Sequence, residues 1–204
     1  FLSEVTMSIL ARAKLKDSNK GFAGDFLTQI EPLLPKIKQK GIKILTNSGG
    51  INPLSCRAVL ERSVKKEGLD LKIAIVTGDD LIPELPKIEK FGITELDTGN
   101  PFPESCLSIN AYLGASGLVA ALVKGADIVI TGRCVDSALV LAPLMHEFSW
   151  NQSDYDLLAS GSLAGHIIEC GAQCTGGNFT DWKDVDGFDD MGFPIVEVES
   201  NGNF

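Results

Sequence analysis

Near the end of one predicted helix stand the side chains best suited to moving protons. His166, Glu169 and Cys170 lie at i, i+3 and i+4, which on an α-helix puts them on one face. An imidazole beside a carboxylate is acid/base machinery, because one group can take a proton while the other returns one. Cys174 extends the series if the helix continues through Gly171, and the face then offers the N, O and S donors that zinc or iron accepts. The spacing matches no standard closed zinc site and shows no fourth ligand. The expectation is therefore a structural helix face or a His166–Glu169 proton-transfer pair, with no metal. His146, next to Glu147 at the end of another helix, suits the negative end of the helix dipole and needs no further role.

A second group of residues sits where predicted strands end. Three exits share one character, a Thr followed by small and polar residues: Thr46-Asn47-Ser48-Gly49-Gly50-Ile51-Asn52, Thr77-Gly78-Asp79-Asp80 and Thr131-Gly132-Arg133. The Gly49-Gly50 turn precedes a helix N-terminus, whose free N–H groups can hold an anion; a plain turn is the competing reading. Asp79 and Asp80 are adjacent carboxylates, able to bind a cation or divide acid and base roles, but neighbours on an extended chain point to opposite faces and one suits a helix cap. Arg133 can grip a carboxylate or phosphate through two parallel hydrogen bonds, or pair with Asp136 three residues on. Gly176-Gly177-Asn178, followed by Asp181-Trp182, has the composition of a substrate-binding loop. The candidate set is thus His166, Glu169 and Asp136 for catalysis, and Asn47, Gly49, Gly50, Asn52, Asp79, Asp80, Arg133, Gly176, Gly177 and Asn178 for substrate binding.

These residues need a scaffold. Apolar periodicity predicts helices over 1–15, over 22–40 with a bend at Pro32 and Pro35, from Pro53 to Glu67, over 114–124, from 135 or 136 to His146, and over 155–170 with a weak point at Ser160-Gly161. Between them lie short apolar runs at 42–46, 71–76 and 127–130, with a further strand-like run at 195–198. Strands alternating with helices predict an α/β fold, a Rossmann-like and mostly parallel sheet flanked by helices. Such sheets bind ligands at the carboxyl ends of their strands, where the three exit loops would gather.

The chain has 204 residues, 44 % of them hydrophobic and 22 % charged, and a formal net charge of −9. That composition fits a folded globular chain, read as a single α/β domain over 1–204. The charge is lopsided: 15 Lys+Arg face 13 Asp+Glu in residues 1–102, but 3 face 14 in residues 103–204. No basic face exists for nucleic acid or an anionic membrane surface. Arg133 is one of only Lys124, Arg133 and Lys183 in the acidic half. Five cysteines, an odd number in a chain this long, read as reduced thiols of a cytoplasmic or mitochondrial-matrix protein. The chain begins at Phe1 and ends just past a strand-like run, which reads as a piece of a longer protein. Neither standard nucleotide-binding loop, G-x-G-x-x-G or G-x-x-x-x-G-K-[ST], is present.

The stretch from Gly165-His166 through Gly171-Ala172-Gln173-Cys174 to Asp181-Trp182 resembles the signature of the acyclic terpene utilisation (AtuA-like) family. So do Thr46–Pro53, Ala126–Arg133, the Leu2–Thr6 opening and His146–Trp150, so that the resemblance covers nearly the whole chain. Cys174 departs from the family pattern, where an aliphatic residue is usual, and this weighs further against a metal. The resemblance implies a longer protein, with a strand and Gly-rich loop ahead of Phe1 and more chain beyond Phe204. It also implies a place in the breakdown of acyclic terpenes through branched acyl-CoA intermediates. The expectation that follows is hydratase- or lyase-type chemistry on an acyl-CoA or related carboxylate, with acyl-CoA as the small-molecule substrate, no established cofactor, and homo-oligomers allowed. A non-catalytic acyl-CoA-binding or carboxylase-associated subunit is the alternative. A Rossmann-type oxidoreductase is weakest, since the fingerprint loop is absent.

Overall fold

The structure is a computed structural model and describes residues 2–204. The chain forms two compact units where the sequence reads as one domain. The first runs up to Leu113 and includes Lys124–Cys134; the second comprises Gly114–Val123 and Val135–Phe204.

In the first unit, α1 (Glu4–Lys16) starts behind Ser3, whose hydroxyl accepts the Thr6 N–H at 3.3 Å. The helix expected over 22–40 is divided into α2 (Gly24–Ile30), a 3-10 turn at Glu31–Leu33, and α3 (Leu34–Lys40). Pro32 and Pro35 lack the N–H that a continuous helix needs and crowd the preceding turn. Then follow β1 (Ile44–Thr46), α4 (Pro53–Lys66), β2 (Ile73–Val76), α5 (Leu85–Lys90) and, further on, β3 (Ile128–Thr131).

The three strands are all parallel, in the order β1–β3–β2, so the fold is the Rossmann-like α/β arrangement that the alternation predicts. β3 takes the centre because every one of its residues is buried, as a central strand covered on both faces requires. Ile128 and Ile130 point to one face and pack with Leu27, Ile30, Leu34 and Ile37 of α2 and α3 and with Cys56, Leu60 and Val64 of α4. Asp127 braces the other end of the sheet: its carboxylate accepts Lys43 Nζ at 2.8 Å and the Lys72 N–H at 2.9 Å, tying the approaches to β1 and β2 to β3.

The second unit packs α6 (Ser116–Val123) on α7 (Ala138–Phe148), and α7 on α8 (Tyr155–Cys170). The expected weak point at Ser160-Gly161 is not a break. Gly161 faces the neighbouring helix, where a Cβ would stand 2.8 Å from Leu141 and 3.0 Å from Trp150, so the missing side chain serves close packing. Buried Trp150 donates its indole N–H to Ser200 O at 2.9 Å, and the Ser160 hydroxyl donates to Gly202 O, fixing the C-terminal segment to this unit. The strand expected at 195–198 is not formed. Ile195 is 93 % exposed, and among the described residues no neighbouring strand offers it a hydrogen-bond ladder. No helix among the described residues is long and apolar enough to cross a membrane.

Candidate functional site

In the first unit the exit loops of β1, β2 and β3 gather on one edge and are bound to one another. Asp79, only 4 % exposed, accepts the Arg133 N–H at 2.7 Å and the Asn110 side-chain N–H at 2.9 Å. Asp80 faces solvent and accepts the Ile82 N–H at 3.0 Å, opening the 3-10 turn Ile82–Glu84. The adjacent carboxylates thus differ, one an internal strut and the other exposed just ahead of the 3-10 turn, whose N-cap position is Leu81. Asn110 was not singled out in sequence; only its polarity within an uncharged stretch could have marked it.

Gly49 allows the β1 and β3 exits to meet backbone to backbone, since a Cβ there would lie 2.5 Å from Thr131 O and 2.7 Å from Pro53 Cβ. The loop turns its amides inward. Gly50 donates to Asn47 O at 3.1 Å, Ile51 to Gly21 O at 2.8 Å and Asn52 to Gly49 O at 2.8 Å. Asn52 caps α4 by accepting the Ser55 N–H at 3.3 Å, and its amide donates to Ser18 O and Lys20 O, both at 2.9 Å. Asn47 is buried beside this turn.

Arg133 is 2 % exposed. Its Nε donates to Cys134 O at 3.0 Å and its Nη1 to Leu2 O at 2.6 Å. The Tyr112 ring lies over the guanidinium, 5.1 Å from its centroid, and Glu4 Oε1 stands 4.0 Å from Nη1. The Tyr112 hydroxyl donates to that Glu4 oxygen at 2.5 Å, and chiefly this bond holds the Glu4 carboxyl below its usual range, helped by the Arg133 charge. Arg133 therefore grips the chain's own N-terminal segment.

In the second unit the helical face read from sequence is assembled at the last turns of α8. His166 Nδ1 stands 3.7 Å from Glu169 Oε2. The Cys170 thiol donates to the same oxygen at 3.4 Å and lies 3.9 Å from either His166 ring nitrogen. Hydrogen bonding to Glu169, then burial and the Glu169 charge, pushes the Cys170 thiol pKa up, so it stays protonated rather than nucleophilic. Gly165 lets α8 approach the start of α7: a Cβ there would meet Ser137 O at 2.8 Å. The contact joins the residue after Asp136 to the residue before His166. α8 ends at Gly171 with φ +56°, and the chain folds back, with the Gly177 N–H on Ala172 O at 2.7 Å. Gly176, Gly177 and Asn178 are exposed on that turn.

The structure so defines a class: a parallel α/β unit with interlocked strand exits, and a helical unit that groups an exposed His with a partly buried Glu and Cys. The family model described as acyclic terpene utilisation family protein AtuA matches residues 1–204, and the chain belongs to that family. Membership puts it among proteins of acyclic terpene utilisation. No curated protein and no solved structure matches the chain.

Proposed function

We propose that the chain is part of an enzyme of branched acyl-CoA breakdown, acting as a hydratase or lyase on an α,β-unsaturated thioester or related carboxylate. The observation that supports this reading is the His166–Glu169 pair, 3.7 Å apart on an exposed helix face. Hydration needs two proton movements. One group takes a proton from water as its oxygen bonds to the β-carbon; the other returns a proton to the α-carbon as the double bond is lost. Asp136 lies one residue from the α7–α8 contact and is the third candidate for this work. The exposed Gly176-Gly177-Asn178 turn is the proposed place for the thioester carbonyl, although its Gly177 N–H is already given to Ala172 O. The strand-exit residues Asn47, Gly49, Gly50, Asn52, Asp79, Asp80 and Arg133 belong to the first unit, where several of them already bear its internal contacts.

The test uses full-length protein with a panel of unsaturated branched acyl-CoAs, following loss of the conjugated thioester absorbance. Turnover that falls by roughly 100-fold or more in His166→Ala and Glu169→Gln, at unchanged helicity, is the expected result. Normal turnover in both variants overturns the reading. A non-catalytic partner subunit is the second reading, favoured by the 193–198 segment, which forms no helix or strand and leaves Phe193 74 % and Ile195 93 % exposed. It predicts a stable complex with a carboxylase and no activity alone.

A further inference from the structure

The geometry points to a metal site on the same helix face: His166, Glu169 and Cys170 hold one divalent transition-metal ion of the zinc class. The spacing matches no standard closed zinc site, and convergence of the ligand atoms is not given by a shared helix face alone. In the structure they converge. One ligand atom from each lies within 4.8 Å of the other two. The separations are 3.7 Å from N to O, 3.4 Å from S to O and 3.9 Å from S to N. A tetrahedral zinc with bonds of about 2.0–2.3 Å sets such ligand atoms roughly 3.3–3.6 Å apart. Small side-chain rotations close the difference.

The donor set fits that metal. Imidazole nitrogen, carboxylate oxygen and thiolate sulfur together select a borderline-soft divalent ion over magnesium or calcium, which take oxygen ligands. The His166 side chain is 69 % exposed, which gives the ion a path in, while Glu169 and Cys170 are partly buried beneath it. The fourth position of the tetrahedron is left to water. An ion bound here takes the His166 lone pair, so proton transfer by the His166–Glu169 pair belongs to the metal-free protein. The site does not rest on the hydration reading, and its test needs no substrate.

Cobalt(II) is titrated into full-length protein under reductant, and binding is read from thiolate-to-cobalt charge-transfer absorption, with zinc(II) as competitor. The expected result is one cobalt per chain, displaced by zinc. Cys170→Ser should abolish the charge-transfer band. His166→Ala and Glu169→Gln should each weaken binding by more than about tenfold, the least that losing even an outer-shell partner costs. Circular dichroism confirms that the three variants fold. Sub-stoichiometric binding, a charge-transfer band that survives Cys170→Ser, or unchanged affinity in His166→Ala overturns the proposal.

Discussion

The Asp79 carboxylate takes the Arg133 backbone N–H at 2.7 Å and so ties the exit of β2 to the exit of β3, 54 residues further along the chain. The same carboxylate holds Asn110, and a Cβ on Gly132 would stand 2.6 Å from its Cγ. Replacing Asp79 with Ala takes the acceptor from a buried donor, the Arg133 N–H, and from a partly buried one, the Asn110 amide. We expect a loss of about 2–4 kcal/mol, read from urea unfolding, and no restoration by an added Asp at position 78.

Arg133→Ala should act on stability. The guanidinium is buried and bonded to Leu2 O and Cys134 O. Its removal should cost about 2–3 kcal/mol and loosen α1, measured by thermal unfolding and by proteolysis near the N-terminus. A variant with unchanged melting temperature but a raised KM would instead restore Arg133 to the role of substrate anchor.

Gly49→Ala should destabilise by about 1–3 kcal/mol. The added methyl meets Thr131 O and Pro53 Cβ, neither of which is a flexible side-chain end. Gly24→Ala is the control, because a Cβ there meets nothing within 4 Å. Denaturant midpoints of the two variants make the comparison.

The thiols should sort by burial. Burial pushes the Cys56 pKa up to about 11, with a smaller opposing effect from Ser48. Cys56 and Cys134 are buried, whereas Cys174 is exposed. Alkylation of native protein at mildly alkaline pH, located by peptide mass spectrometry, should mark Cys174 and spare Cys56 and Cys134. Early labelling of Cys56 would refute the packing around α4.

Burial works against ionisation of Asp127, but the bonds from Lys43 and from the Lys72 amide outweigh it and hold the carboxyl below its ordinary value of 3.8. A carboxyl lowered by folding adds stability above its unfolded pKa and loses it as pH falls through the folded value. Asp127→Asn should therefore narrow the stability gap between pH 7 and strongly acid solution, seen as a smaller shift of the urea midpoint in the variant.

The sheet was legible because β3 is apolar from Ile128 to Ile130, between Asp127 and Thr131, and because Gly41 and Gly68 close the helices that precede β1 and β2. The grouping of His166, Glu169 and Cys170 was legible for a similar reason: i, i+3 and i+4 spacing is fixed by the helix itself, whatever surrounds it. Arg133 was not, because sequence shows a cation but not what it faces. Its partners Leu2, Glu4 and Tyr112 lie far away in the chain and carry no local signal. The run at 195–198 misled for the same reason: a strand exists only where another backbone pairs with it, and β-branched residues cannot announce that neighbour.

The bond between Arg133 and Leu2 closes a loop of 131 residues. Bringing such distant points together costs about 4 kcal/mol of chain entropy before the contact returns anything. α1 should consequently be the last element of its unit to settle and the first to leave. Its amides should exchange with deuterium well ahead of those of Ile128–Thr131, while the sheet is still intact.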